Sequence, residues 1–457
     1  MKARAEAVFA LPILGSWLVH APLSGVSALV NRAALLELWG RMRGSRGASR
    51  EVECLVEALE RPDAESRKLD GDFAPGFLGI IPTRACDLDC VYCDFGSASA
   101  GEGKVMELGV AASAVDWMAA NVSGRGGPLL DVHFFGGEPF RAPDVVDTAV
   151  HRGRAVASSL GIAARFEAST NGCFDDDRLA FVEDYFDAVV ISWDGPSRLH
   201  DRHRPRKNGS GTAELVERNA RALAGSRTEV CIRSCVTAEG LSSLEEAVGW
   251  CCSEVTPSAM DLETLKPTAR TMEAGIRPPD PLGFASAFAR CETIAAAAGV
   301  RLVFAAAELE GPRASFCPVA TDTAIVDPSG RISSCYLNEA DWAAAGLDLS
   351  YGRIEEGEVR IDRSAARRIR SLGERRGPCL SCFLRWSCAG GCHVENAALG
   401  SGGRLPASCA QARLIAAERL LKALGNRDLA DSLFADLGAM EELAYRPSDT
   451  LASAASE

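Results

Sequence analysis

The sequence lacks any apolar run near the roughly 18 residues that a membrane-spanning helix needs, so no such helix is expected. It also lacks an excess of positive charge. Lys and Arg number 49 against 62 Asp and Glu, a net charge of −13 at pH 7, and phosphate backbones are bound through surplus Lys and Arg. Neither nucleic acid nor a membrane is therefore expected as a partner. The nearest thing to a targeting segment, "AVFALPILGSWLV" at 7–19, is interrupted by Pro12, follows Glu6, and continues as a strand-like pattern, unlike a signal peptide. "GRGG" from Gly124 and "GSGT" from Gly209 have neither a Walker lysine nor the spacing of a dinucleotide site. Both read as turns, the second capping a helix.

Cysteine, by contrast, is plentiful: 17 in 457 residues that are 47% hydrophobic. A chain this long can bury a large core, so one big domain with smaller appendages is expected. Disulfide frameworks belong mostly to short secreted chains. Cys54, Cys173, Cys231, Cys235, Cys251, Cys252 and Cys291 are scattered through apolar or mixed segments and read as reduced, partly buried residues. The others fall into three groups: Cys86, Cys90 and Cys93; Cys317 and Cys335; and Cys379, Cys382, Cys388, Cys392 and Cys409. Clustered thiolates in a reducing compartment, here the cytoplasm, indicate metal or redox chemistry.

Six β-rich runs predict strands at 76–83, 129–136, 164–172, 187–195, 229–237 and 260–267. Between them lie helical patterns with apolar residues at i, i+3, i+4 spacing, as in 106–122 and 211–225. Repeated βα alternation implies parallel strands with right-handed crossovers, and barrel-like sheets of this kind gather their active sites at the C-terminal strand ends. The first cysteine group directly follows the first strand.

Three thiolates on a short loop can hold three irons of a [4Fe–4S] cluster and leave the fourth open to an external ligand. Zinc fits less well, because the trio has no nearby His or fourth Cys at finger spacing. "CDLDCVYC" at 86–93, with Tyr92 as its aromatic residue, resembles the C-x3-C-x-aromatic-C signature of the radical S-adenosylmethionine (radical SAM) enzymes. The resemblance implies a partial (β/α)6 barrel, in which the open iron chelates S-adenosyl-L-methionine and an electron cleaves it to a 5′-deoxyadenosyl radical. An external donor such as flavodoxin or ferredoxin would supply that electron. "FFGGEPF" resembles the family's GGEP motif, so Gly136, Gly137, Glu138 and Pro139 would meet the methionine amino group. Adjacent glycines permit close approach of backbone to a ligand. In "STNG", Ser169, Thr170 and Asn171 offer short polar groups for ribose or carboxylate. Arg233 is a candidate for the methionine carboxylate and equally an ordinary salt-bridge partner. In "SWDGPSRLHDRHRP", His200, Asp201 and His203 could pass for metal ligands; they read as scaffold, and the pattern recurs in the subgroup acting on peptides and proteins.

The C-terminal cysteines resemble the seven-cysteine SPASM extension, which binds two auxiliary clusters. Carried over by position, Cys317, Cys335 and Cys392 would hold the first, and Cys379, Cys382, Cys388 and Cys409 the second. A zinc ribbon would space its cysteine pairs more widely. Two absences qualify the resemblance. No cysteine stands shortly before Cys317 in "ELEGPRASFC", so Glu308 or Glu310 substitutes, or an iron stays open. In anaerobic sulfatase maturases a catalytic aspartate follows the cysteine matching Cys335, whereas here it is Tyr336, a poor base near neutrality.

The expected organisation is α/β: an N-terminal α+β segment at 1–75, a radical SAM barrel at 76–300, the SPASM extension at 301–415, and a C-terminal helix and disordered tail at 416–457. The N-terminal order of hairpin, Asn31 and small helix is similar to elements that bind leader peptides by strand addition. The resulting expectation is a maturase of a ribosomal precursor peptide that forms a thioether or carbon–carbon link. The alternatives are oxidation of a protein Cys or Ser to an aldehyde, and a non-catalytic iron–sulfur carrier or peptide-binding protein.

Overall fold

A computed structural model describes residues 7–45, 47–60, 73–93, 104–313, 315–374, 377–397 and 405–457. The chain begins with strands β1 (Phe9–Ile13), β2 (Ser16–Ala21) and β3 (Val26–Val30), an antiparallel sheet. Leu14 and Gly15 join β1 to β2 with positive φ at both positions, the tight-turn geometry that suits strand twist. The segment expected to be a hairpin is thus β2 and β3, with β1 added. Asn31 caps the helix Arg32–Met42, accepting from the Ala34 N–H at 2.9 Å, and the helix Arg50–Leu59 follows. One face of the sheet, with Ala10, Val19 and Leu35, forms a small core; Phe9, Leu11, Ile13 and Leu18 enter the main one. Cys54 is exposed on its helix rather than partly buried.

The six predicted strands are all present: β4 (Phe77–Ile80), β5 (Leu129–Phe134), β6 (Ala163–Thr170), β7 (Ala188–Ser192), β8 (Glu229–Val236) and β9 (Ala259–Thr264). Each pairs in parallel with the next. β10 (Arg301–Val303) adds to β9, and β11 (Thr323–Val326) pairs in parallel with β4. Antiparallel β12 (Arg331–Ser333), β13 (Ser350–Glu355) and β14 (Glu358–Ile361) complete an open eleven-stranded sheet. The sheet thus runs without interruption past residue 300.

Alternation along β5 shows how the pattern orients the sheet. Leu130, Val132 and Phe134 are buried against helices that include Leu108–Ser123 and Pro143–Leu160, while Asp131 and His133 take the opposite face. Each fully buried Leu or Phe contributes roughly 1.5–3 kcal/mol, so the two-residue period leaves one strand face free for polar groups.

The C-terminal region departs from expectation. Helix Ala407–Ala423 is buried along most of its length, and three further helices follow, the last at Leu451–Ser456. The expected disordered tail is held by main-chain bonds to β1 and the residue before it: Ala10 N–H donates to Asp449 O at 2.7 Å and Leu451 N–H to Val8 O at 3.2 Å. Leu451 and Ala454 belong to the N-terminal core. A composition rich in Ala and Ser hid two buried apolar contacts. Among the described residues, no helix is long and apolar enough to cross a membrane.

Candidate active site

β4 ends at Ile80, and the chain turns through Pro82 into the loop bearing Cys86, Cys90 and Cys93. The GGEP segment, at the end of neighbouring β5, clamps that loop. Gly137 N–H donates to Thr83 O at 3.2 Å and Glu138 N–H to Ala85 O at 2.9 Å. Side chains at the glycines would collide with the same loop: a Cβ on Gly136, where φ is +148°, would lie 2.6 Å from Thr83 O, and one on Gly137 2.3 Å from Ala85 O. The close approach is therefore to the cysteine loop itself, a different use of the glycines from the expected ligand contact. Gly137→Ala is expected to displace the loop at a cost of about 1–3 kcal/mol. Denaturant melts and iron content would check it; full iron with wild-type stability would contradict the clamp.

Glu138 is buried. Its carboxylate accepts from Thr170 Oγ1 at 2.9 Å, Asn171 N–H at 2.7 Å and Phe140 N–H at 3.2 Å. Burial pushes its pKa up to about 7 despite those donors. It joins the ends of β5 and β6. Asn171 continues the link, donating to Asp87 Oδ1 at 3.0 Å and to Cys86 Sγ at 3.7 Å. Pro139 starts the short turn after Glu138 and is buried. Ser169 points elsewhere, its Oγ 3.0 Å from His133 Nε2. Arg233 pairs with Asp261, Nη2 to Oδ2 at 2.8 Å, so the salt-bridge reading describes its place here.

The other side of the cysteine loop is held by the segment after "SWDG". Asp89 N–H donates to Pro205 O at 2.8 Å, Val91 N–H to His203 O at 3.0 Å, and Leu88 forms a β-bridge with Arg206. Beneath lies Asp194, whose carboxylate accepts from the Tyr92 hydroxyl and, at 2.9 Å, from Cys235 N–H. Arg204 Nε is 3.0 Å from Asp194 Oδ2, Arg204 Nη2 donates to Oδ1 at 3.0 Å, and His203 Nδ1 stands at 3.6 Å. Burial alone would raise the Asp194 carboxyl, but the Arg204 charge and the Arg204 and His203 donors hold it well below the carboxylate range. Asp201 accepts from Thr212 N–H at 2.6 Å and Ala213 N–H at 2.7 Å. The helix start after "GSGT" is thus capped by Asp201, with no cap bond from its own Thr212 side chain. The scaffold reading of His200, Asp201 and His203 agrees with this geometry. Sequence reasoning missed Asp194 and Arg204 as the anchor of Tyr92, although both lie within the motif it singled out.

The trio suits a cluster better than a single ion. Burial pushes the Cys86 thiol up to about 12 and Cys90 to about 11, so thiolates here require a cationic partner such as iron. Among the described residues, no three His, Cys, Asp or Glu side chains gather closely enough for one metal ion; in a cubane each thiolate takes a different iron.

The C-terminal cysteines assemble from distant segments. Cys317 lies close enough to Cys335 and Cys392 for their charges to interact, as do Cys335 and Cys392. Cys388 interacts likewise with Cys379, Cys382 and Cys409, and Cys409 with Cys379. Each of these interactions falls within one of the two sets named from the sequence. Glu308 is occupied elsewhere, paired with Arg301 at 2.8 Å and Arg419 at 2.7 Å, which removes it as a substitute ligand. Glu310 is exposed. Tyr336 places its hydroxyl 3.0 Å from His133 Nδ1 and its ring against Phe135. Burial pushes the phenol well up, which leaves it no better a base.

Residues 80–250 match the family described as the Radical SAM superfamily. No curated protein matches the chain. Among solved structures, native anSMEcpe with bound AdoMet superposes with a TM-score of 0.60 at 19% identity, over 76% of this chain and 99% of that one. The same protein with bound AdoMet and Kp18Cys peptide gives 0.61 at 20% identity, over 77% and 99%. Streptococcus suis SuiB gives 0.51 at 15% identity, over 85% of this chain and 95% of that one. These likenesses are of fold. A Radical SAM domain implies a [4Fe–4S] cluster and S-adenosylmethionine, for which the Cys86, Cys90 and Cys93 loop has the right donors. Residues 80–250 are thus a Radical SAM domain, set in a chain whose fold resembles those of anSMEcpe and SuiB.

Proposed function

We propose that the chain is a radical SAM maturase of the SPASM type that modifies a ribosomally made precursor peptide, joining two of its residues by a thioether or carbon–carbon bond. The observation that carries the reading is the state of the two edges of the N-terminal sheet. β1 is covered by the C-terminal segment through Asp449 and Leu451. The outer edge of β3 has no main-chain partner among the described residues. An unpaired strand edge is a template for adding a peptide strand, and it is built into the body carrying the site. That anSMEcpe takes a bound peptide on this fold supports a peptide as substrate.

When bound, the cluster and S-adenosylmethionine supply a 5′-deoxyadenosyl radical able to abstract hydrogen from carbon. The chain's own residues hold that chemistry in place. Cys86, Cys90 and Cys93 would provide the ligands; Tyr92, Gly136, Gly137, Glu138 and Asn171 fix the loop, and with Pro139 they would border the cofactor. Ser169 and Arg233, the other two candidates for that site, are held by His133 and Asp261. Cys317, Cys335 and Cys392, and separately Cys379, Cys382, Cys388 and Cys409, hold auxiliary clusters, and a flavodoxin or ferredoxin supplies electrons. Oxidation of a sulfatase-derived Cys or Ser is disfavoured because the Tyr336 hydroxyl is buried against His133.

Hydrogen exchange tests the edge directly. Binding of the precursor should slow exchange of amides at 26–30 on the order of tenfold or more, while a sulfatase-derived peptide leaves them unchanged. Saturating precursor with no protection along β3 would remove the strand-addition reading.

A further inference from the structure

Beside the four-cysteine group, one arginine has no place in the function described so far. Arg413 projects from the helix Ala407–Ala423, one turn beyond Cys409, and its side chain is 3% exposed. Nη1 lies 3.6 Å from Cys382 Sγ and donates to Asp449 Oδ2 at 2.6 Å; Nη2 donates to Asp449 Oδ1 at 2.7 Å, and Nε to Leu443 O at 2.9 Å. The guanidinium sits over the Phe383 ring, 5.5 Å from its centre. Asp449 is fully buried and equally fixed. Its N–H donates to Ser381 O at 2.9 Å, its carbonyl accepts from Ala10 N–H, and its Oδ2 accepts from Phe383 N–H at 3.1 Å. Residues 36 positions apart thus form a planar two-bond clamp whose spare N–H is aimed at one sulfur of the set.

A bidentate carboxylate would by itself explain a structural Arg–Asp pair. It does not explain why the pair stands against a thiol between Cys379 and Cys388. Iron–sulfur potentials are set in part by hydrogen bonds to the ligating sulfurs and by nearby charge. Arginine is always protonated and presents its donors in a rigid fork. An N–H on the sulfur withdraws charge from the thiolate and favours the reduced, more negative state.

We infer that Arg413 is an outer hydrogen-bond donor to Cys382 that raises the reduction potential of the cluster held by Cys379, Cys382, Cys388 and Cys409, and that Asp449 is its positioning residue. The inference rests on the proposed auxiliary clusters. Because β1 carries the carbonyl contact to Asp449, the N-terminal sheet is continuous with that cluster's surroundings.

The experiment is a redox titration of the full chain followed by electron paramagnetic resonance, in a background with Cys86, Cys90 and Cys93 replaced by Ala to silence the catalytic cluster. With Arg413 intact, two auxiliary signals are expected. In Arg413→Gln, one of them should shift to a more negative midpoint with altered line shape and undiminished iron, and Arg413→Lys should restore part of the shift. Asp449→Asn keeps the guanidinium but loosens its aim, and should shift the same signal less. Unchanged midpoint and line shape in Arg413→Gln at full iron overturn the inference. If Arg413→Gln loses that iron, Asp449→Asn decides: a shifted signal supports the inference and an unmoved one overturns it. An Arg413-intact background without auxiliary iron overturns the cluster reading itself, and the inference with it.

Discussion

Replacing Cys86, Cys90 and Cys93 together with Ala is expected to abolish 5′-deoxyadenosine formation and to lower bound iron by about four atoms per chain. The three residues are the thiols on the loop after β4, and main-chain bonds on both sides hold that loop: Thr83 and Ala85 to the GGEP segment, Asp89 and Val91 to Pro205 and His203. Those bonds do not involve the sulfurs, so the variant should fold with a far-ultraviolet circular dichroism spectrum like the wild type. The C-terminal cysteines lie in other segments, and their iron should remain. Anaerobic assay of S-adenosylmethionine cleavage with dithionite, beside an iron count, checks both halves. Residual cleavage in the triple variant would sink the assigned catalytic loop, and loss of all iron would overturn the auxiliary clusters proposed for the C-terminal cysteines.

Asp194→Ala should be nearly as damaging without touching a ligand. The carboxylate is wholly buried, with Arg204 on two of its contacts and the Tyr92 hydroxyl on another. Removing one partner of a buried ion pair leaves an uncompensated charge and typically costs about 3–5 kcal/mol. Tyr92 immediately precedes Cys93, so the loop also loses its deepest anchor. The double variant Asp194→Leu with Arg204→Met removes both charges and should recover much of that stability. It should not recover turnover, because the Tyr92 hydroxyl still has no acceptor. Chemical denaturation and S-adenosylmethionine cleavage read the two effects apart. A double variant restored in both would show that Asp194 serves stability alone.

Much of the fold was legible because its signals are local. A strand with one face in the core announces itself by composition and by alternation, and all six strands expected between 76 and 267 lie in the sheet. The C-x3-C-x2-C loop was legible for the same reason, since three thiols within eight residues need no tertiary contact to be noticed. Glycine was half legible. Gly136 and Gly137 marked a close approach, but whether ligand or backbone approaches depends on what lies across the gap, and that is Thr83 and Ala85. Glu308 stayed one of three alternatives for a related reason. A carboxylate upstream of Cys317 is a possible ligand until Arg301 and Arg419, the second lying far along the chain, are seen to occupy it.

The sequence by itself determined the parallel βα order, the position of the cysteine loop after the first barrel strand, and the grouping of the cysteines along the chain, because periodicity and spacing are properties of neighbouring residues. Only the tertiary structure decided that Asp194 anchors Tyr92, that Arg413 reaches both Cys382 and Asp449, and that the last helix packs on β1. Those contacts join segments whose separation in the chain leaves no periodic trace. Burial then makes them specific, since away from water a charge or a polar group must find a partner wherever the fold brings one.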